Sequence, residues 1–273
     1  MKKILVIGKR GFISLNLIRY LKKKKIILSS IHFENFLKKK SQFLSKFDFV
    51  INCSSNISFT EKKYDPLNDN DLLIALKISN FKTKLITLSS RKVYEIKSNA
   101  KETDITKPLC NYSKNKLISE ISVQKILNNK SLILRISNII GIPINNKRKI
   151  HQTFVDIFFK KIKEGIKYEN KKNFKDFLPI TKFNEIVFKL IQKNAFGIYN
   201  VSLGKKVYIN DVIMWLNSYN KKKIKTIKMK KSFKNDNFTL NNKKLLNFLK
   251  ISISVDNLKN ECLLISKKFF LKK

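Results

Sequence analysis

Short apolar runs alternate with amphipathic segments along the first half of the chain. The apolar runs predict β-strands over residues 2–8, 25–31, 47–53, 84–90 and 131–137. Between them, apolar positions three and four residues apart predict α-helices over 12–24, 34–47, 65–79 and 111–127. Strands that are apolar throughout belong in a parallel sheet that is covered on both faces. Because such strands are joined by right-handed crossovers, the pattern predicts an α/β fold with a doubly wound, Rossmann-like sheet.

The alternation loosens after Gly141. The later elements are predicted to be helices over 151–165, 182–193 and 209–219, a strand over 197–202, and helical segments near 242–249 and 256–268. Neither an internal repeat nor a linker-like stretch is visible between the two halves. We therefore predict a larger domain over 1–140 and a smaller subdomain over 141–273, from which about 174–203 returns to the sheet.

Composition narrows the class of protein. A chain of 273 residues with 43% apolar content can bury a core. No apolar run approaches the ~18 residues that would suggest a membrane span, and the start "MKKILVIGKR" has too few apolar residues for a signal peptide. The three cysteines, Cys53, Cys110 and Cys262, lie far apart without the spacing of a zinc site. These features predict a protein of the reducing cytoplasm with neither a membrane partner nor a bound metal.

The net charge of the chain, taken alone, favours a nucleic acid or an anionic membrane as the partner. There are 59 lysines and arginines against 19 acidic residues, a formal charge of +40 that is typical of proteins that bind nucleic acid or anionic membranes. The lysines are spread over the whole chain, however, and the chain is also rich in Asn, Ile and Phe, as expected for an AT-rich genome. Nucleic-acid binding is therefore not favoured.

A glycine-containing loop lies where the first predicted strand meets the first predicted helix. The stretch "GKRGFIS" (8–14) holds two of only six glycines in the chain, Gly8 and Gly11, and Ser14 provides a third small residue. Glycines there let the backbone approach a pyrophosphate, and the helix N-terminus offers free N–H groups and a positive dipole. The alternative is a plain strand-to-helix turn. Because glycine is otherwise scarce, we interpret the loop as a dinucleotide site.

The choice of dinucleotide depends on the end of the second strand. NAD-preferring folds usually place an acidic residue there to hold the ribose hydroxyls, but "LSSIHF" has no carboxylate before Glu34. Lys9 and Arg10 lie inside the loop and could pair with a 2′-phosphate, Arg10 through its planar fork. NADP is therefore favoured over NAD, with simple solvated cations as the alternative reading of Lys9 and Arg10.

One tyrosine–lysine pair has the context of a catalytic pair. Four tyrosines have a lysine four residues later: Tyr20/Lys24, Tyr112/Lys116, Tyr168/Lys172 and Tyr219/Lys223. Only Tyr112 and Lys116 open the helix that follows a strand ending in serines, Ser89 and Ser90. A phenol titrates near ~10, and a lysine cation one turn away lowers that value. Tyr112 can then act as a general acid or base while Ser90 hydrogen-bonds the same substrate oxygen.

These segments together resemble the extended short-chain dehydrogenase/reductases, the NAD-dependent epimerase/dehydratase group that acts on nucleotide sugars. The resemblance covers about residues 2–203. Seven motifs follow one another in the family's order: "ILVIGKRGFIS", "FDFVINCSS", "LSSRKVYE", "NYSKNK", "LILRISNIIG", "KDFLPITKFNEI" and "GIYNVSLGKKVYINDVI". The resemblance implies a dinucleotide-binding domain over 1–140 and a substrate-binding subdomain over 141–273.

The resemblance also implies roles for individual residues. The catalytic residues it implies are Ser90, Tyr112 and Lys116. The cofactor-binding residues are Gly8, Lys9, Arg10, Gly11, Phe12, Ile13, Cys53 and Ser54, together with Tyr112 and Lys116. Ser90, Arg91 and Asn138 are the implied substrate-binding residues, and no metal is expected. A homodimer is predicted, since members of this family often pair two helices per subunit, here 66–80 and 111–127.

Departures from the family pattern reduce the number of reactions that this chain is expected to catalyse. Unusual residues stand at Ser14, Ser54, Ser55, Glu95, Thr181 and Lys182. The family's dehydratases carry an Asp-Glu pair where this chain has Arg91 and Lys92, so dehydration is not expected. A nucleotide-sugar reductase or epimerase remains, with a role in cell-surface polysaccharide biosynthesis. The short chain and Arg10 favour the reductase. The alternative is a non-catalytic dinucleotide-binding regulator of the same fold.

Overall fold

A computed structural model describes residues 1–142, 153–169, 173–222, 225–228 and 236–271. The chain divides into two compact units. The first comprises Met1–Glu95, Glu102–Ile136 and Asn184–Asn200. The second comprises Ile96–Lys101, Ser137–Phe183 and Val201–Lys273.

The strands within the described residues are short, at most seven residues. They are β1 Lys3–Ile7, β2 Ile27–Ile31, β3 Phe49–Asn52, β4 Lys84–Ser90, β5 Ser131–Ile136, β6 Asn138–Ile140, β7 Ile166–Glu169, β8 Phe174–Lys175, β9 Phe177–Pro179, β10 Gly197–Val201, β11 Val207–Tyr208 and β12 Lys225–Lys228. The α-helices vary more in length. They are α1 Phe12–Leu21, α2 Phe33–Leu37, α3 Ser41–Leu44, α4 Ile57–Glu61, α5 Asn70–Ile78, α6 Asn111–Leu127, α7 Phe154–Lys163, α8 Ile180–Gln192, α9 Ile209–Leu216, α10 Lys243–Leu249 and α11 Val255–Phe270.

A six-stranded sheet of order β2–β1–β3–β4–β5–β10 forms the centre of the first unit. The strands from β2 to β5 are paired in parallel, and β1 and β3 are buried along almost their whole length. The predicted doubly wound, Rossmann-like parallel sheet is therefore confirmed. The chain leaves β2 on one side of β1 and returns as β3 on the other side. This change of direction creates a topological switch point between β1 and β3, where open α/β sheets bind ligands.

The core of the first unit is built where helices cover this sheet. One buried cluster joins strand residues with residues of α2, α3, α5 and α6: Leu5, Ile7, Phe36, Leu44, Phe47, Val50, Ile74, Ala75, Ile78, Leu85, Val123 and Leu127. Outside that cluster, α1 contacts α8 through the Tyr20 and Phe188 rings, whose centres are 6.3 Å apart. Apolar residues at helical spacing therefore end on the faces that the sequence pattern assigns to the core.

Two predicted helices differ from the structure. The helix predicted over 34–47 is two short helices, α2 and α3, because the backbone at Lys40 is extended (φ −72°, ψ 158°). The break follows three consecutive lysines and lets both Phe36 and Leu44 reach the core cluster. In the helix predicted over 65–79, Pro66 opens only a 3-10 turn. The α-helix α5 starts later because the Asp69 side chain accepts hydrogen bonds from the first N–H groups of that helix.

The second unit contains helices and three two-stranded pairings. These are β6 with β9, β8 with β11, and β7 with β12. Apart from the helices, these elements were not predicted, because strands of two to four residues are too short to show alternation. Of the helix predicted over 151–165, residues 154–163 form α7, whereas 151–152 lie outside the described residues.

A buried aspartate ties the second unit together. Asp176, fully buried beside β9, accepts hydrogen bonds from the backbone N–H groups of Leu203, Gly204 and Leu240 at 3.0–3.3 Å. Burial raises the pKa of Asp176 to about 7, against the lowering effect of these donors. The aspartate of the "KDFLPI" motif therefore holds three chain segments in register.

No described helix combines the length and apolar content that crossing a membrane requires. Over the same residues, His, Cys, Asp and Glu side chains form no group of three that would suit a metal ion.

Candidate active site

Gly8 brings three strand ends together. Its N–H donates to the Ile31 carbonyl at 2.9 Å, which places the loop against the end of β2. Its φ of +97° is one that L side chains rarely adopt, and a Cβ there would lie 2.9 Å from the backbone of Cys53 and Ser54 beyond β3. Only glycine satisfies both constraints without strain. The carboxyl ends of β1, β2 and β3 therefore meet at the switch point.

The start of α1 has the features of an anion site. Gly11 occupies the N-cap position, and no side chain caps the helix there. The first N–H groups of α1, which begins with Phe12 and Ile13, can therefore bind a negative group, helped by the helix dipole. Ser14 is fully buried, and its hydroxyl donates to the Gly11 carbonyl at 3.0 Å. The exposed Lys9 and Arg10 add positive charge. These features fit the pyrophosphate of a dinucleotide.

The end of β3 carries the next group of predicted cofactor residues. The buried Asn52 side chain accepts from both the N–H (2.9 Å) and the hydroxyl (2.6 Å) of Ser54. The Asn70 amide in turn donates to the Ser54 hydroxyl at 2.9 Å. Desolvation, followed by the charge of Asp71, raises the pKa of the Cys53 thiol to about 12, so Cys53 remains a neutral thiol at neutral pH.

Ser90 is the last residue of β4, and it caps the 3-10 turn Arg91–Val93. The Ser90 hydroxyl accepts from the Lys92 N–H at 3.2 Å. The Lys92 ammonium lies 5.9 Å from the centre of the Tyr112 ring, within the range of a cation–π contact. Lys92 therefore links Ser90 to Tyr112. Arg91 is buried at the start of the same turn.

Tyr112 and Lys116 lie one turn apart at the beginning of α6. The Lys116 side chain is buried, and its ammonium is 3.3 Å from the Asp71 carboxylate. Burial opposes the charge on Lys116, but Asp71 and then Tyr112 outweigh it, so the pKa of Lys116 is raised. Tyr112 and Lys116 occupy neighbouring positions on one face of α6. Ser54, Asp71 and Lys116 line one polar pocket, which joins the end of β3 to α6.

The sequence interpretation missed Asp71 and Asn52. The Asp71 carboxylate accepts from Asn52 Nδ2 at 2.7 Å on one oxygen and from Lys116 on the other. A signal was present, because "DND" places two acidic residues at a helix start in a chain with only 19 acids. That signal is also typical of an ordinary helix cap, which is the role that Asp69 has.

A buried polar network lies under α6. Arg135 of β5 donates to both carboxylate oxygens of Glu120 on α6, at 2.7 to 3.2 Å. Arg135 also donates to the Tyr94 hydroxyl at 2.8 Å, and Tyr94 donates to Asn200 at 2.9 Å. Ser89 of β4 donates to Glu120 as well. The network fixes the helix that carries Tyr112 against β4 and β5.

Asn138, the remaining predicted substrate residue, belongs to the second unit. It begins β6, and its N–H donates to the Asp176 carbonyl at 3.3 Å. Its side-chain Nδ2 is buried and has no hydrogen-bond partner within the described residues, as is also true of Ser137 Oγ. Buried polar groups of this kind are costly unless a ligand or water satisfies them.

Comparison with known proteins places the chain in a family. The sequence profile of the NAD dependent epimerase/dehydratase family matches residues 4–202, well over half of the chain. The chain belongs to the NAD-dependent epimerase/dehydratase family. The match spans the glycine loop, the Tyr112–Lys116 pair and Asn138, so these three features lie inside the family region. A search of curated proteins found no significant match.

Solved structures with the same fold include epimerases, reductases and dehydratases. A UDP-N-acetylglucosamine 4-epimerase from Methanobrevibacter ruminantium, in complex with UDP-N-acetylmuramic acid, has a TM-score of 0.80 at 19% identity, over 100% of this chain and 99% of its own. A dTDP-4-dehydrorhamnose reductase from Clostridium acetobutylicum has a TM-score of 0.78 at 19% identity, over 96% and 99%. A dTDP-glucose 4,6-dehydratase from Bacillus anthracis, in complex with NAD, has a TM-score of 0.74 at 16% identity, over 98% and 97%. The TM-scores show that these proteins share the fold of this chain, and at such low identities the comparison shows the fold alone.

Proposed function

We propose that this family member is an NAD(P)-dependent nucleotide-sugar reductase or epimerase with Tyr112 as its general acid/base. The observation that carries the proposal is the buried Lys116 ammonium, which Asp71 holds one helical turn from Tyr112. A cation in that place favours the phenolate, which a tyrosine must form in order to exchange protons at neutral pH. The fold and the family support the same class of reaction.

The residues of the site would have separate roles in cofactor binding and in proton transfer. Gly8, Gly11 and the first turn of α1 would hold the pyrophosphate, and Cys53 and Ser54 would line the cofactor site at the end of β3. When bound, the nicotinamide donates or accepts a hydride at a sugar carbon. Tyr112 moves the matching proton to or from the carbonyl or carbinol oxygen, and Ser90 donates a hydrogen bond to that oxygen.

The same site disfavours dehydration. Arg91 and Lys92 occupy the positions at which the family's dehydratases carry an acid pair, and two cationic side chains do not supply the carboxylic acid and the carboxylate base of that pair. Between the two remaining reactions we favour reduction, because Arg10 suits the 2′-phosphate of NADPH, the cofactor that a reductase consumes. The compact β2–β3 connection, with only α2 and α3, agrees with a reductase.

The second unit would bind the nucleotide sugar. The buried, unpartnered Nδ2 of Asn138 and Oγ of Ser137 support this, because a polar ligand would satisfy them. Thermal-shift screening with NADP, NAD and UDP-, GDP-, CDP- and dTDP-sugars tests the assignment directly. A sugar that stabilises the protein would then be assayed in both ways: net NADPH consumption identifies a reductase, and sugar isomerisation without net consumption identifies an epimerase.

Cofactor choice is expected to depend on Arg10. A charge-assisted contact from Arg10 to a 2′-phosphate would contribute about 1.5–3 kcal/mol, which corresponds to roughly ten- to a hundredfold tighter binding of NADP(H) than of NAD(H). Arg10→Ala should remove most of that preference and leave NAD(H) affinity nearly unchanged, because backbone groups hold the pyrophosphate. Titration of both cofactors against wild type and variant measures the effect.

Arg19 supplies the control for this experiment. It is exposed and lies in the last turn of α1, at the opposite end of the helix from Arg10. Arg19→Ala removes the same charge from the same helix and should leave both affinities unchanged. Equal affinity of the wild type for NAD(H) and NADP(H) would reduce Arg10 to a surface cation and would favour the epimerase.

A homodimer is expected through α5 and α6. Leu76 on α5 and Ile121 on α6 are 54% and 58% exposed, and Ile118 on α6 is partly exposed as well. Exposed apolar residues on two packed helices are typical of a self-complementary interface. Light scattering at micromolar concentration should show twice the 32.1 kDa chain mass. The double variant Leu76→Glu/Ile121→Glu should be monomeric.

The loop residue Ile105 provides the matched control for the dimer. It is 89% exposed and lies outside both helices, so Ile105→Glu should leave the dimer intact. Wild-type protein that scatters only as a 32.1 kDa species would contradict the dimer.

A further inference from the structure

Asp71 is the ion-pair partner of Lys116. Its carboxylate lies 3.3 Å from the Lys116 ammonium, and the two side chains are 5% and 11% exposed. The second carboxylate oxygen accepts from Asn52 at 2.7 Å, so Asn52 and the start of α5 fix the orientation of the carboxylate. A buried ammonium without such a partner would pay a large desolvation cost. The Asp71 carboxylate therefore fixes the position of the Lys116 ammonium.

The charges around Tyr112 and Lys116 form a small, mixed set. Lys92 faces the Tyr112 ring from the turn after β4, and Lys116 faces it from within α6. Asp69 and Asp71 face Lys116 from α5, and Cys53 faces Asp71 from the end of β3. The other titratable neighbours are Cys110, at the start of α6 and close to Lys92, and Tyr64, whose hydroxyl donates to Asp69 at 3.0 Å. Lys116 thus stands between one phenol and two carboxylates.

We propose that Asp71 is a positioning residue, which holds the Lys116 ammonium in place and partly offsets its positive field at Tyr112. The two effects follow from one contact. A carboxylate paired with Lys116 stabilises the lysine as a cation, and the same negative charge opposes phenolate formation on Tyr112. The catalytic meaning of this inference rests on the proposed function, whereas the charge coupling itself is a property of the resting protein.

The coupling predicts a specific response of Tyr112. In Asp71→Asn the negative charge is lost while the size of the side chain is kept, so only the Asp69 carboxylate still opposes the effect of Lys116 on Tyr112. The pKa of Tyr112 should therefore fall, because a negative charge that opposes the phenolate is removed. The acid limb of the pH–rate profile should move to lower pH by a similar amount. A residue with a purely structural role would lower activity or stability without moving the pKa.

Titration of the phenol by ultraviolet difference absorbance measures this response. The signal of Tyr112 is isolated by subtracting the same titration of a protein that also carries Tyr112→Phe. Asp65→Asn is the matched control, since it removes a half-buried carboxylate from the segment before α5 and asparagine caps a turn equally well. That control should leave the pKa of Tyr112 unchanged.

A second pair of variants covers the case in which Asp71→Asn does not fold with an unpaired lysine. Lys116→Gln alone leaves the Asp71 charge unopposed, and the double variant Lys116→Gln/Asp71→Asn removes both charges. The pKa of Tyr112 should be lower in the double variant than in Lys116→Gln. An unchanged or higher pKa of Tyr112 on loss of Asp71, in either comparison, overturns the proposal. If the pKa shifts as expected but Tyr112→Phe keeps full turnover, the coupling stands and the proposed function fails.

Discussion

Tyr112→Phe is expected to reduce turnover by about 10²–10⁴-fold, the loss typical of a missing general acid/base. Phenylalanine keeps the ring, its contact with Lys92 and the start of α6, and it removes only the hydroxyl that carries the proton. Cofactor binding should persist, because Gly8, Gly11 and the first turn of α1 are unaffected. Turnover is measured with the nucleotide sugar identified by ligand screening, and cofactor affinity by titration.

Another tyrosine of the chain provides a matched control. Tyr20 has the same spacing to a lysine, and the Lys24 ammonium lies 4.7 Å from the centre of its ring. Tyr20 closes α1 and packs on Phe188, away from the glycine loop. Tyr20→Phe should therefore retain turnover. Full activity in Tyr112→Phe would remove Tyr112 from the mechanism and would favour a non-catalytic, dinucleotide-binding role.

Glu120→Ala is expected to lower the free energy of unfolding by about 3–5 kcal/mol, the usual cost of leaving one partner of a buried ion pair alone. Arg135 would lose both carboxylate contacts while remaining 4% exposed between the strands of the sheet. The hydroxyl of Ser89 would lose its acceptor as well. Denaturant unfolding followed by circular dichroism measures the change.

Two comparisons separate the cost of an unpaired charge from the value of the pair. The double variant Glu120→Leu/Arg135→Met replaces the pair with apolar side chains and should recover much of the lost stability. Glu164→Gln breaks an exposed ion pair with Lys161 and should leave stability almost unchanged. A Glu120→Ala protein as stable as the wild type would show that water reaches Arg135 and that the network does not anchor α6.

The sequence predicts the longest strand and the longest helix of the first unit to the residue. The helix predicted over 111–127 is observed as Asn111–Leu127, and the strand predicted over 84–90 as Lys84–Ser90. The strand β4 is part of the central sheet, and α6 packs against that sheet. The broken helix at Lys38–Lys40 shows the limit: the sequence around it permits a continuous helix, but tertiary packing of Phe36 and Leu44 favours two short ones.

The candidate site was predictable where a motif fixes the chemistry and unpredictable where partners are distant in sequence. The glycine loop and the Tyr112–Lys116 pair follow from position on strands and helices. Asp71 lies 45 residues from Lys116, and no local pattern indicates that the two side chains meet. Asn52 likewise meets Asp71 only because β3 and the start of α5 converge at the switch point. Contacts of this kind depend on the assembled sheet.

The strand order places β2 at an edge of the sheet, where a second chain could add a strand. This edge strand is only five residues long and only partly buried. One lysine run, over 22–25, comes directly before it in the chain, and another, over 38–40, follows α2. Two such edges approaching each other would bring like charges together, and flanking lysines of this kind are a known protection against strand-mediated aggregation. The lysines over 22–25 would therefore oppose the pairing of two open sheet edges without any ligand, and salt would weaken that protection by screening the charges.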